Sequence, residues 1–522
     1  MTSVLEPSAV ETFDRWHGVE RLRAGTNPAP SSYRAPLPAT APRPGEQYRF
    51  EVDLDACTGC KACVTACHSL NGLDPGEAWR SVGLLIGEGP WQQHVTTACH
   101  HCVEPACLAG CPVEAYEKDP ITGIVAHLDD QCIGCRYCML TCPYEVPRFN
   151  QRLGIVRKCD MCSDRLAEGE APACVQGCPT NAISIGLVSG TEAGTTAFGD
   201  PEPRLVPTAP LSSITRPTTV YITRRPRPVD PVAADDHRVV PAHDHPPLVA
   251  MLVLTQLSVG AFVATVLCGA VGDPRRAATA AIAWMSAVVA LGASVMHLGR
   301  PLLAWRALLG LGHSWLSREI LAFGVYAPLG GAVAAADVGW LPRRWAPVLG
   351  VATALVGLAG VGCSAMLYAA TRRPSWRLDR IVARFAVTMA TTGGAAVGLA
   401  GSLDGAATGA PVTAGVVATI GGSLGGMAMT AVYVVRHRDD DGALGRSVSL
   451  LAGPLRTRLA AALAAAWCTI AVAGAIAALR PAGAAAVGAW ILVVTSALVA
   501  AGLERSLFFT TSSPDRMPGG LR

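Results

Sequence analysis

Charge is scarce in this 522-residue chain: Asp, Glu, Lys and Arg make up 16%, against 51% hydrophobic residues. Intrinsic disorder needs the opposite balance and is excluded. Aromatic residues are also few, at 6%, and the glycines follow no three-residue period, which excludes a collagen-like fibre. The first 30 residues hold no basic segment leading into an apolar run, and no twin-arginine pair ahead of one. No export signal is expected there. Also absent are a phosphate-cradling glycine loop, a Ser/His/Asp constellation and a paired-carboxylate pattern. The chain is therefore expected to hold no substrate-converting active site of its own and to bind no nucleic acid.

What is present divides sharply in two. Before residue 248 there are 21 Lys/Arg and 29 Asp/Glu, a net charge of −8, which leaves +11 for the rest of a chain whose total is +3. Sixteen of the 19 cysteines lie in the acidic part. A chain this long and this apolar exceeds a single core, so at least two domains are expected. We read residues 1–47 as a Pro/Ala-rich leader and 48–188 as a cysteine-dense domain of short strands and turns. Residues 189–247 read as a linker containing one strand-like run, TTVYITR. Residues 248–505 form an apolar region, and 506–522 a tail.

The apolar region holds eight windows of about the 20 residues that cross a bilayer as a helix. They fall near 248–271, 277–298, 320–340, 345–370, 383–402, 413–435, 459–478 and 483–503. A buried soluble helical domain would need polar faces, and these windows have none. Runs such as TTGGAAVGLAGS and IGGSLGGMAM carry the small residues that let membrane helices approach closely, so a packed bundle is expected.

The cysteines fall into four groups of four: Cys57, Cys60, Cys63 and Cys67; Cys99, Cys102, Cys107 and Cys111; Cys132, Cys135, Cys138 and Cys142; Cys159, Cys162, Cys174 and Cys178. The first and third read C-x2-C-x2-C-x3-C. In that spacing three thiolates wrap one corner of an iron–sulfur cube, while the fourth, often followed by Pro, points to a second cube. Pro follows Cys111, Cys142 and Cys178, whereas His68 follows Cys67. Zinc knuckles and a disulfide network are the alternatives. Sixteen clustered cysteines in a long chain with no export signal favour metal ligation over disulfides, and the C-x2-C-x2-C-x3-C spacing favours iron–sulfur over zinc.

The phrases CTGCKAC, CIGCRYC, CPYEVPRFN and VRKCDMC resemble the four-cluster ferredoxin subunit of membrane-bound molybdopterin oxidoreductases, most nearly that of the dimethyl sulfoxide reductase family. The resemblance implies that Cys57, Cys60, Cys63 and Cys178 hold one cube, and Cys67, Cys159, Cys162 and Cys174 its neighbour. It assigns Cys99, Cys102, Cys107 and Cys142 to a third, and Cys111, Cys132, Cys135 and Cys138 to a fourth. Some relatives replace the residue at the position of Cys135 with Trp and carry a three-iron cluster; here Cys is kept, which implies four 4Fe-4S clusters. Residues 248–522 resemble the eight-helix anchor of the same family through MHLGRPLLAWRALLGLGHSWLSREIL, MLYAATRRPSW, ERSLFF and RMPGG. The implied fold is an α+β double ferredoxin-like domain with four 4Fe-4S clusters, followed by an all-α eight-helix transmembrane bundle.

The resemblance implies an anchor that oxidises a quinol such as menaquinol from the membrane quinone pool and feeds a separate molybdopterin-containing catalytic subunit. The reverse flow, from a formate or sulfur-compound dehydrogenase into the quinone pool, is the alternative; from another class, a zinc-stabilised transporter. A quinol head needs a proton-accepting side chain at the hydrocarbon edge, and His titrates near neutral pH. His297, at the end of the second window, and Arg300 are the quinol-site candidates, with His313, Arg318 and Glu319 leading into the third. Such ionisable residues are costly in a membrane, although a helix also ends on a polar rim. Tyr326 and Gln256 read as packing residues, and Cys268, Cys363 and Cys468 as buried small hydrophobes.

Two crossings return the chain to its starting side, so the loop after His297 is expected on the side of the cysteine domain. Loops on that side carry thirteen arginines and the opposite loops five. This favours a multi-pass protein of the inner membrane with the cysteine domain facing the cytoplasm, the extracytoplasmic side being the alternative. The same excess would also suit docking of the acidic front domain.

Overall fold

The computed structural model describes residues 37–38, 40–194, 203–226, 228, 230–269, 277–404 and 409–519. Most of the leader lies outside the described residues, as do Arg275 and Arg276. The chain forms two compact units, one of Met1–Arg238 with Asp515–Arg522 and one of Val239–Pro514.

The first unit is built from short elements. Strand β1 (Glu46–Asp53) alternates: Phe50 and Val52 turn inward, while Arg49 and Glu51 pair on the other face at 2.7 Å. The further strands are β2 (Ser81–Ile86), β3 (Gln92–Thr97), β4 (Tyr116–Lys118), β5 (Val125–His127), β6 (Arg148–Asn150), β7 (Ile155–Arg157), β8 (Ile183–Ser189), β9 (Val220–Ile222) and β10 (Val232–Ala233). Among the described residues they make two three-stranded sheets, β8-β1-β9 and β10-β2-β3, and two hairpins, β4-β5 and β6-β7. β1 pairs antiparallel with β8 and parallel with β9. The run TTVYITR therefore supplies a sheet strand: Tyr221 is buried, and its hydroxyl donates to the Thr96 carbonyl at 3.1 Å.

Five short helices carry or follow cysteines: α1 (Ala62–Leu70), α2 (Ala106–Gly110), α3 (Tyr137–Thr141), α4 (Ser163–Ala167) and α5 (Ala173–Gln176). One core joins Phe50, Trp79, Met161 and Ile185 to Cys63, Cys67, Cys99, Cys159 and Cys174. A second core gathers Val52, Leu85, Val95 and Tyr221 and includes Met517 from the far end of the sequence. That end is held by Asp515 to Arg204 at 2.9 Å and Arg516 to Asp235 at 3.3 Å. It crosses β2 so closely that a Cβ on Gly83 would lie 2.1 Å from the Pro518 carbonyl carbon.

Among the described residues, the second unit has eight helices long and apolar enough to cross a membrane. They are α6 (Pro246–Leu267), α7 (Ala277–Met296), α8 (Trp315–Asp337), α9 (Ala346–Ala369), α10 (Leu378–Leu403), α11 (Ala410–His437), α13 (Arg456–Leu479) and α14 (Gly483–Thr510), with the shorter α12 (Ala443–Ala452) between α11 and α13. Small residues set the spacing: a Cβ on Gly398 would lie 2.1 Å from the Trp490 ring, and one on Gly260 would lie 2.3 Å from the Met389 carbonyl oxygen. Large apolar side chains such as Val289, Leu355 and Trp467 are exposed. So is Cys468, while Cys268 and Cys363 are only half-buried. The expectation that all three single cysteines are buried fails, because a bundle in lipid can turn apolar residues outward. Trp305, Trp340 and Trp345 are exposed close to helix ends, as in an interfacial aromatic belt.

Candidate functional site

None of the sixteen clustered cysteines is bridged in a disulfide, and the backbone around them repeats two devices. In C-T-G-C-K-A-C, Gly59 (φ 73°) and Lys61 (φ 63°) are left-handed; in C-I-G-C-R-Y-C, Gly134 (φ 68°) and Arg136 (φ 61°) are too. Glycine adopts this conformation freely. Lys61 and Arg136 sit at the N-caps of α1 and α3, and such a conformation costs a side-chain-bearing residue about 1–2 kcal/mol. A Cβ on Gly59 would also lie 2.5 Å from the His94 ring.

The second device follows the Cys-Pro pairs. Three residues beyond Cys111, Cys142 and Cys178 stand Glu114 (φ 55°), Glu145 (φ 51°) and Asn181 (φ 52°). The turn aims the next N–H back at sulfur: Ala115 donates to Cys111 Sγ and Ala182 to Cys178 Sγ, both at 3.3 Å. The Val146 backbone does the same for Cys142. Cys67 has no Pro after it, and its helix runs on to Leu70. The side chain of Asn71 substitutes, with Nδ2 donating to the Cys67 carbonyl at 2.8 Å and lying 3.7 Å from its Sγ.

The thiols gather across the sequence groups. Cys57 interacts electrostatically with Cys60, Cys63 and Cys178. Cys67 does so with Cys162 and Cys174, and Cys159 with Cys67 and Cys174. Cys102 faces Cys99, Cys107 and Cys142, and Cys138 faces Cys111, Cys132 and Cys135. One cavity is lined by Cys57, Cys60, Cys63 and Cys178, and another by Cys99, Cys102, Cys107 and Cys142. Among the described residues no three His, Cys, Asp or Glu side chains draw together around one metal ion. Four thiols spread around a cavity suit a polynuclear cube better than a single ion.

Burial pushes several of these thiols up, Cys67 to about 12 and Cys142 and Cys162 to about 11. Thiols so raised are protonated in the free chain, and metal binding displaces those protons. Cys132 moves the other way: burial pushes it up, but the hydrogen bond and charge of His127, helped by backbone N–H groups, outweigh that and hold it low.

Two cations are buried among the thiols. Arg80, 3% exposed, donates Nη1 to Thr96 Oγ1 at 3.1 Å and lies 4.7 Å over the Phe50 ring. Its guanidinium also faces the Cys174 thiol, which it holds by a side-chain hydrogen bond. Burial opposes its charge, but Cys174, Cys63, Cys159 and Cys67 more than offset that. Lys158 donates to the carbonyls of Val125 and, at 2.9 Å, Cys159; burial is again outweighed, here by Cys99, Cys107 and Cys159. Neither cation was read as functional from the sequence. The available signal was a charged residue in VRKCDMC and another between Trp79 and the apolar SVGLLI.

In the membrane unit His297 is buried just beyond α7. Its ring centroid lies 5.4 Å from that of His245, which lies 4.5 Å from His243 and 5.5 Å from Phe509. Between the two upstream histidines, Asp244 binds Arg458 at 3.1 Å and accepts from the Ser506 hydroxyl. Arg300 is half-buried at the start of the turn Pro301–Leu308. His313 is exposed, and Arg318 donates to the carbonyls of Leu311 and Gly312 at 3.1 and 2.8 Å. Glu319 accepts from the Ser364 hydroxyl within the helices. Sequence reasoning missed His243 and His245, which sit in a Pro-rich stretch ahead of the first apolar window. Gln256, expected to be a packing residue, accepts from the fully buried Arg505 at 3.1 Å.

The profile of the 4Fe-4S dicluster domain matches residues 91–188, and that of the DMSO reductase anchor subunit (DmsC) matches residues 242–510. The front of the protein is 40% identical over 153 residues to the B subunit of the anaerobic dimethyl sulfoxide reductase of Escherichia coli K12, covering 27% of this sequence and 74% of that one. It is 39% identical over 171 residues to YnfG, a probable anaerobic dimethyl sulfoxide reductase subunit of the same strain, covering 30% and 83%. Over 152 residues it is 38% identical to the thiosulfate reductase electron transfer subunit PhsB of Salmonella typhi, covering 28% and 79%. This multi-pass membrane protein belongs to the DMSO reductase family, as an iron–sulfur electron-transfer subunit fused to a DmsC-type membrane anchor.

Proposed function

We propose that this chain oxidises a membrane quinol, menaquinol in our reading, near His297 and Arg300 and passes the electrons through four 4Fe-4S clusters to a separate molybdopterin-containing catalytic subunit. The observation that carries the proposal is the gathering of sixteen thiols, all but Cys60 buried or half-buried, into sets whose members come from different sequence groups. The ligand sets are Cys57, Cys60, Cys63, Cys178; Cys67, Cys159, Cys162, Cys174; Cys99, Cys102, Cys107, Cys142; and Cys111, Cys132, Cys135, Cys138. When bound, such clusters supply one-electron transfer over a wide range of potentials.

The sets adjoin in series. Cys174 of the second set interacts with Cys63 of the first, and Cys159 of the second with Cys99 of the third. Tyr116 stands between Cys107 of the third and Cys111 and Cys138 of the fourth. The protein's part is to hold the thiolates, aim N–H groups at sulfur, and place Arg80 and Lys158 where negative charge accumulates. Fixed cations there favour the reduced state, which carries one more negative charge.

At the other end His297 accepts a proton from the quinol head, and His245 and His243 extend the path away from it. The parity of crossings supports release of protons on the side of the cysteine unit. No charge then crosses the membrane through this chain. The arginine excess in the loops on that side supports a cytoplasmic orientation.

Replacing His297 by Ala tests the assignment in the purified complex. Cluster reduction by a quinol analogue, followed by paramagnetic resonance, is expected to disappear, while reduction by dithionite persists. Equal loss with both donors would make His297 a structural residue. Clusters that dithionite reduces but quinol leaves oxidised in the unaltered complex would point to the reverse direction of flow.

A further inference from the structure

A cavity of about 100 Å³ lies within the membrane unit, lined by residues of α10, α11, α12, α13 and α14. It shares no residue with the histidine group around His297. Mostly apolar walls with a few polar groups are the usual lining of a small-molecule site.

The walls change character along its length. Arg384, Thr388, Tyr433 and Glu504 line one end, and Thr391, Gly422, Ser423 and Ala497 the other. Ser423 and Tyr433 are ten residues apart on α11, about 15 Å of helix rise, so the space is long rather than round. Gly426, Ala462 and Ala466 keep the middle open. A chain-like apolar group follows that elongated shape, whereas a compact metabolite would not span it.

The polar end narrows the head group. Arg384 pairs with Glu504 at 2.9 Å, and Arg505 stands 3.8 Å from the same carboxylate. Arg384 lies 5.9 Å over the Tyr433 ring and Arg380 5.4 Å over it. The charge of Arg384 is thus met within the protein, and a carboxylate faces whatever enters, which disfavours an anionic phosphate. The hydroxyls of Tyr433 and Ser423 are buried and have no hydrogen-bond partner among the described residues, and Ser423 as a whole is 6% exposed. A buried hydroxyl without a partner is unfavourable, so a ligand offering an uncharged acceptor gains by meeting one.

We infer that this cavity binds a membrane quinone, with a ring carbonyl accepting from the Tyr433 hydroxyl beside Arg384 and the isoprenoid tail running past Ala466 toward Ser423. It is a site in addition to the one read around His297. The inference does not depend on that reading, because the two sets of residues are disjoint.

The test uses the full chain in vesicles of phosphatidylethanolamine and phosphatidylglycerol and a photoreactive azido-naphthoquinone with a prenyl tail, with adducts mapped on peptides. Labelling is expected within 422–433 and 459–466, displaced by excess menaquinone and retained in the His297→Ala variant. Ala466→Phe, which fills the middle, is expected to cut this labelling on the order of tenfold with the iron content unchanged. Should that variant fail to fold, Tyr433→Phe removes only the donating oxygen and is expected to weaken labelling several-fold without moving the melting temperature. Labelling absent from both peptides would overturn the inference. So would displacement by added phosphatidylglycerol as effective as that by menaquinone, which would make the cavity a phospholipid site.

Discussion

The two units bury polar chemistry by opposite means. In the cysteine unit the strands and helices are short, and the backbone of the loops does the positioning: left-handed residues at Gly59, Lys61, Gly134 and Arg136 and after the Cys-Pro pairs point N–H groups at sulfur. In the membrane unit the backbone is satisfied inside long helices, and side chains do the work. Arg505 reaches Gln256 and Thr388, Ser258 meets Tyr326 at 2.7 Å, and Glu319 meets Ser364. A site made by loop backbone leaves a spacing in the sequence. A site made by side chains from distant helices leaves almost none.

The largest expected effect comes from removing one thiol. Cys135→Ser is expected to convert or abolish the cluster of the set Cys111, Cys132, Cys135 and Cys138, while the helices still insert. Iron analysis and spectra of purified membranes check this, and unchanged iron with unchanged spectra would show that Cys135 is not a ligand. Next in size is Gly398→Leu. Its new side chain has nowhere to go but the Trp490 ring, so a loss of about 1–3 kcal/mol or more in bundle stability is expected, read by thermal unfolding of the membrane unit. The cluster spectra are expected to stay as they were; if they vanish too, the two units do not fold independently.

Arg80→Gln sharpens the comparison by leaving every ligand in place. The loss of a buried cation beside Cys174 and Cys63 is expected to lower the midpoint potential of the first or second cluster, with Arg80→Lys restoring part of it. A redox titration followed by paramagnetic resonance reads the shift, and unmoved potentials would make Arg80 a packing residue. The smallest effect is expected from Asn71→Leu, which deletes the side chain standing in for the missing Cys-Pro turn at Cys67. A loss of about 0.5–1.5 kcal/mol is expected, with the cluster retained, measured as faster iron release on mild heating.

This contrast also explains what the sequence made legible. The four cysteine groups and the eight apolar windows were readable because ligand spacing and membrane thickness each impose a length. TTVYITR was readable as a strand, but not its pairing with β1, which lies roughly 170 residues upstream and has no local signature. The end of the sequence read as a plain tail; only the fold shows Met517 in a core and Pro518 against Gly83. His297 stood out as a polar residue at the end of an apolar run, whereas His243 and His245 did not, since their neighbourhood is formed by Phe509 more than 260 residues away. Arg80 and Lys158 were overlooked because a lone cation in a strand-rich stretch looks like a solvated surface until its burial is known.

The central claim is that quinol electrons enter a wire of four clusters. The most direct measurement is an iron and zinc count on the anaerobically purified complex, with a paramagnetic resonance spectrum before and after addition of a menaquinol analogue. About sixteen iron atoms per polypeptide, negligible zinc, and cluster signals that appear on quinol addition are the predicted result. Zinc in place of iron would contradict it outright, and iron-loaded clusters that remain oxidised under excess quinol would contradict the direction of flow.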